Sequence, residues 1–136
     1  MAVVQELIRV EENGTISFGN YSLEMKSKVE DFEYKGDLYK VKTFKEITTL
    51  ERNGMFVYES VPGTAVHGLK VTDKGLEFRV EGPEDAQITV ELEDDSEYKI
   101  FIDDTNVGKM KTNLGGKLAL SVELGKDDVK VKIVKL

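Results

Sequence analysis

Along most of this chain apolar and polar residues alternate one by one, and the alternation breaks every several residues at Gly, Pro, Asn or Asp. A period of two places successive side chains on opposite faces of an extended backbone, so the pattern predicts short β-strands with one buried face. The last segment is the clearest, with Val129, Val131 and Ile133 alternating with Lys130 and Lys132. Before it, Leu118, Leu120, Val122 and Leu124 alternate with Lys117, Ala119, Ser121 and Glu123, and residues 125–128 read as a hairpin turn joining the two strands. Ile88, Val90 and Leu92 form another apolar row, as do Tyr98, Ile100 and Ile102, with Asp94-Asp95-Ser96 as the turn between them. Leu76, Phe78 and Val80 lie between turns at Asp73-Lys74-Gly75 and Gly82-Pro83.

The first half carries three hairpin signals, Asn13-Gly14, Lys35-Gly36 and Asn53-Gly54. Both residues of an Asn-Gly pair tolerate the positive φ of a type I′ turn, which makes the two Asn-Gly sites the stronger ones. Strands are expected at residues 7–11 and 15–18. A two-residue loop at Asn53-Gly54 pairs Leu50 with Val57 and Glu51 with Phe56. Residues 44–52 admit two readings. Phe44, Ile47 and Leu50 are spaced three apart as on a helical face, but Thr48, Thr49 and the following turn favour a strand.

Taken together, the pattern predicts an all-β fold, an antiparallel β-sandwich formed by a single domain over residues 1–136. A joint falls at Val61-Pro62-Gly63-Thr64. It separates residues 1–61, rich in aromatic hairpins, from residues 65–136, whose roughly seven strands suit an immunoglobulin-like sandwich. Open strand edges are a natural route to a homo-oligomer.

Composition narrows the chemistry. The chain has 26 acidic against 19 basic residues and a net charge of −7, which opposes binding to nucleic-acid backbones and to anionic membranes. It has no cysteine and one histidine, His67. Thiolate catalysis, disulfides and Cys-ligated metals are therefore excluded, and a zinc site with two histidines of one chain cannot form. The first residues contain no basic segment followed by an apolar run, so a cytoplasmic location is the expectation.

The run Tyr98-Lys99-Ile100-Phe101-Ile102-Asp103-Asp104-Thr105-Asn106-Val107-Gly108, followed by residues 112–124, is similar to the terminal β-sandwich modules of bacterial carbohydrate-active enzymes. Through residues 36–43 and 82–87 the chain also resembles small acidic proteins of anaerobic bacteria that carry the name endosialidase. A sialidase catalytic domain is a much longer β-propeller. No sialidase active-site motif occurs here, so the resemblance carries over no catalytic residue. Sialidases clamp a sugar carboxylate with three arginines, and Arg9, Arg52 and Arg79 match only that number.

Phe32, Tyr34 and Tyr39 are the candidate ligand-binding residues. A Lys35-Gly36 turn sets Phe32 opposite Tyr39 and Asp31 opposite Lys40, with Phe32 and Tyr34 on one face. Such aromatics stack on sugar rings if exposed and form core if buried. The acidic runs at residues 91–97, 103–104 and 127–128 read as turn formers rather than a calcium loop, and no metal or cofactor is expected. No nucleophile, base and oxyanion donor form a recognisable set. The expected function is thus a non-enzymatic binding or interaction module, with a glycan as the first ligand. A self-associating structural protein and a sialidase-like carbohydrate-active enzyme are the alternatives.

Overall fold

The computed structural model describes residues 2–136, in which thirteen strands and no helix are present. In chain order these are β1 (Ile8–Val10), β2 (Ile16–Phe18), β3 (Ser27–Tyr34), β4 (Asp37–Phe44), β5 (Ile47–Arg52) and β6 (Met55–Val61). They continue as β7 (Ala65–Thr72), β8 (Gly75–Glu81), β9 (Ala86–Glu91), β10 (Glu97–Ile102), β11 (Thr105–Lys111), β12 (Lys117–Val122) and β13 (Val129–Lys135). They form two antiparallel sheets packed face to face, a β-sandwich. The larger has the order β1-β2-β7-β8-β13-β10-β11, and the smaller β12-β9-β6-β5-β4-β3. Among the described residues no helix is long and apolar enough to cross a membrane.

Residues 44–52 are extended, and β5 takes up most of them. The threonines decide this locally: Thr48 points inward and is fully buried, where its hydroxyl is bonded on three sides. Both parts of the chain contribute to each sheet, since β1 and β2 join the larger sheet while β9 and β12 join the smaller. One apolar cluster lies between the sheets and includes Phe18, Val41, Leu50, Tyr58, Phe78, Ile88, Ile100 and Val131. Its centre is a chain of edge-on rings, Phe18–Tyr58 at 5.2 Å and Tyr58–Phe78 at 5.7 Å.

Three local expectations need correction. Residues 125–128 do not close a hairpin, because β12 lies in the smaller sheet and β13 in the larger. The turn expected at Asp94-Asp95-Ser96 is present, and it carries the chain from β9 in one sheet to β10 in the other. Alternation reveals which face of a strand points inward, but two strands facing one core from opposite sides give the same alternation. Finally, two bulges shift the ladders. Leu50 pairs with Tyr58 rather than Val57, although Glu51 does pair with Phe56. Phe32 pairs with Tyr39, but a bulge between Val29 and Phe32 removes the Asp31–Lys40 pair. There Asp31 adopts φ +56°, and Lys40 lies 3.8 Å from Glu30 instead.

Successive antiparallel strands send their connections to alternate ends of the sandwich. The β1–β2, β3–β4, β5–β6 and β7–β8 turns and the β9–β10 crossover share one end, where Lys135 N–H donates to Lys74 O. At the opposite end the interior is closed by hydroxyls. Thr48 Oγ1 donates to Thr64 O at 2.9 Å and accepts from Thr64 N–H at 3.1 Å. Thr64 Oγ1 lies 2.8 Å from both Tyr58 Oη and Ser60 Oγ, and Thr43 Oγ1 accepts from Asn20 N–H.

Candidate functional site

The turn-rich end is open, and its turns are fixed by short-range chemistry. Lys35 and Gly36 have φ +51° and +83°, and Asn53 and Gly54 have +51° and +79°, the conformation of a type I′ hairpin. Asn53 also clips the next hairpin: its Oδ1 accepts from Leu38 N–H and its Nδ2 donates to Asp37 Oδ1, both at 2.9 Å. Asn13 Oδ1 accepts from Thr15 N–H and Thr15 Oγ1, stiffening the β1–β2 turn. The Tyr34 hydroxyl donates to Gly14 O at 2.5 Å, a bond from the smaller sheet to the larger.

Between these turns lies a cleft of about 540 Å³. Its lining is largely polar, with Lys35, Asp37, Arg52, Lys70 and Glu77 as its charged groups and Ile16, Val57, Leu69 and Val71 as its aliphatic ones. Tyr34 and Tyr39 stand in its wall, ring centroids 5.6 Å apart and edge-on. Burial pushes the Tyr39 hydroxyl above its ordinary range, and the neighbouring Arg52 partly offsets this. A second depression of about 320 Å³ shares Arg52, Val57 and Val71 with the first and adds Phe56, Leu92 and Tyr98. The two form one groove along the mouth of the sandwich, with Arg52 at their junction.

Of the three sequence-predicted residues, Tyr34 and Tyr39 reach this groove. Phe32 packs against the core beside them. Tyr39 is buried and the other two are half-buried, so they offer ring edges and a hydroxyl rather than open faces for stacking. The sequence reading weighed Arg52 only with Arg9 and Arg79 and did not place it beside these tyrosines. In the ladder it stands directly opposite Tyr39, and it continues the inward row of Thr48 and Leu50. A cation ending an inward apolar row was the signal available.

The remaining candidates separate. Arg9 and Arg79 line a different depression, a broad dish of about 800 Å³ on the outer face of the larger sheet. Both are engaged there, Arg9 with Glu11 at 3.1 Å and Arg79 with Asp128 at 3.0 Å. The three arginines therefore do not share a site. His67 also lines the dish, with its Nε2 3.5 Å from Glu81 Oε1, and neither atom has a hydrogen-bond partner. The acidic runs serve turns and exposed ion pairs: Asp103 Oδ1 accepts from Lys130 N–H, and Lys111 pairs with Asp95, Lys130 with Asp104 and Lys135 with Glu93. Among the described residues no three histidine or acidic side chains converge to hold a metal ion. Comparison of the chain with protein-family models, with curated proteins and with solved structures finds no match in any of the three.

Proposed function

We propose that the protein is a binding module of the cytoplasm whose ligand lies in the groove at the turn-rich end, and that this ligand is a neutral, polyhydroxylated chain, a glycan. The carrying observation is the groove itself, a largely polar cleft in which Tyr34, Tyr39, Val57 and Val71 stand among the charged groups Lys35, Asp37, Arg52, Lys70 and Glu77. Lys35, Arg52 and Lys70 line the first depression together with Asp37 and Glu77, and the second adds Asp73, Glu91 and Glu93. With both signs present and no cationic surplus, the groove disfavours polyanions. Planar guanidinium and carboxylate groups match pairs of neighbouring hydroxyls, and Val57 and Val71 suit the C–H faces of a sugar ring.

A glycan microarray followed by isotope-labelled titration tests this. Bound oligosaccharide should shift the amides of Tyr34, Asp37, Tyr39 and Arg52, and Arg52→Ala should weaken binding at least about tenfold, the value of one charged hydrogen bond. No binding at millimolar sugar, or shifts confined to the outer dish, would refute the assignment.

A further inference from the structure

A sandwich of two open sheets has four edges, and three of them are blunted. β1 has only three residues. β3 is interrupted by its bulge and carries Glu30, Asp31 and Glu33. β11 is bulged opposite Ile100 and Phe101 and carries Lys109 and Lys111. Short length, bulges and charges are the means by which edges avoid pairing with another chain. β12 has six residues in unbroken register with β9, and only its first is charged.

The free backbone groups of β12 follow from parity. Leu92 N–H donates to Gly116 O at 2.7 Å, so the even-numbered residues of β12 exchange hydrogen bonds with β9 and the odd-numbered ones face away. Leu124 N–H, donating to Asp85 Oδ1 on the β9 side, keeps the same parity. Of the outward residues, Lys117 is satisfied by Asn113, whose Oδ1 accepts its N–H at 3.0 Å and whose N–H donates to its carbonyl at 3.1 Å. The open donors and acceptors are those of Ala119 and Ser121.

We propose that β12 is the interface of a homodimer, pairing antiparallel with β12 of a second copy about a two-fold axis at Leu120. In this register Ala119 faces the partner's Ser121, and the four N–H and C=O groups of each copy's pair satisfy one another. Leu118 faces the partner's Val122 and Leu120 faces its own counterpart, so the inward row stays apolar. On the outer face Lys117 meets the partner's Glu123. Among the described residues no cation stands within ion-pair distance of Glu123, while Lys117 has only Glu91 at 3.6 Å and the Phe56 ring at 4.9 Å. Segment 117–123 is thus complementary to itself read backwards, as an isologous interface requires. An axis at Ala119 would need the occupied backbone groups of Lys117, and one at Ser121 would leave Lys117 without its carboxylate. The two six-stranded sheets become one continuous sheet.

Sedimentation velocity across a concentration series tests the interface. The parent chain should pass from monomer to dimer. Ala119→Pro removes an outward N–H that the monomer does not use, so it should weaken dimerisation at least about tenfold while dichroism and melting stay near the parent's. Lys117→Glu or Glu123→Lys alone should weaken it, and the double swap should restore it. The cysteine-free chain allows a register test: mixed Ala119→Cys and Ser121→Cys chains should form a disulfide under mild oxidation. A chain monomeric at millimolar concentration overturns the proposal. So does a dimer that is indifferent to Ala119→Pro and gives no mixed disulfide.

Discussion

The two ends of the sandwich are built to opposite plans. At the closed end, backbone segments touch. A Cβ on Gly63 would fall on the Phe44 carbonyl oxygen, and one on Gly19 on the Thr64 carbonyl oxygen. Five hydroxyl side chains there, those of Thr43, Thr48, Tyr58, Ser60 and Thr64, are at most 1 % exposed and hydrogen-bonded to one another or to backbone. At the open end, a Cβ on the hairpin glycines Gly14, Gly36 or Gly54 would meet nothing within 4 Å, although one on Gly75 or Gly116 would fall on a carbonyl oxygen of the neighbouring strand, and the sheets part around a groove. Buried polar groups that are fully satisfied hold one conformation strictly, whereas a mouth lined by half-satisfied side chains leaves donors and acceptors for another molecule. The difference separates the end that keeps the sheets together from the end that can receive a ligand.

The sharpest way to break this comparison is a pair of matched glycine substitutions. Gly63→Ala drives a methyl group into backbone that cannot retreat, and should lower stability by more than about 3 kcal/mol or prevent folding. Gly36→Ala meets only the strain of a positive φ, about 1–2 kcal/mol, with no clash. Urea unfolding of both variants checks the order, and equal losses would mean that the two ends are not mechanically distinct.

A matched tyrosine pair sharpens the same point. Tyr58→Phe removes a buried hydroxyl and leaves Thr64 Oγ1 without one of its two hydroxyl partners, for a loss of about 1–2 kcal/mol. Tyr34→Phe removes the half-buried bond to Gly14 O, which water can replace, for a loss of about 0.5 kcal/mol. Thermal melts read the stability of both. Amide exchange should show Tyr34→Phe loosening the β1–β2 turn while the closed end stays protected.

How far the sequence foretold these ends depends on whether the signal is local. The inward rows of β8, β9, β10, β12 and β13 were all legible, because alternation is a property of each strand alone. The Phe32–Tyr39 and Glu51–Phe56 pairs were legible because two-residue turns fix register near the turn. Beyond the first few pairs the bulges at Asp31 and after Leu50 intervene, and no residue type announced them. Assignment of strands to sheets was hidden for a related reason: Val122 and Val129 face one core from opposite sides and look alike in sequence. Within the groove, Tyr34 and Tyr39 stood out as aromatics beside a turn. Arg52 did not, because its meaning depends on being the inward residue where the sheets diverge.

The smallest expected effect concerns acid. Between the two ends, on the outer face, the Ser17 hydroxyl and then the Arg9 guanidinium hold the Glu11 carboxyl below its ordinary value of 4.5, against an opposing effect of burial. A carboxyl with a depressed folded pKa adds stability that is fully present above its unfolded pKa and lost as pH falls through the folded one. The window therefore opens below pH 4.5. With the Arg9 and Glu11 side chains 35 % and 31 % exposed, water screens much of the effect, which should stay under about 1 kcal/mol. Ser17 Oγ also accepts from Gly68 N–H, so protonating Glu11 should loosen the β2–β7 contact beside the groove. The buried hydroxyl cluster of the closed end, formed by Thr43, Thr48, Tyr58, Ser60 and Thr64, contains no carboxyl, and its Tyr58 hydroxyl is pushed far upward by burial, so acid should reach that end only through the exposed Glu24–Lys45 pair at its rim. Amide exchange followed downward from neutral pH should thus release Ser17 and Gly68 before Thr48 and Thr64. Glu11→Gln should abolish the pH dependence of that early release, and simultaneous release of both ends would show that they melt as one unit.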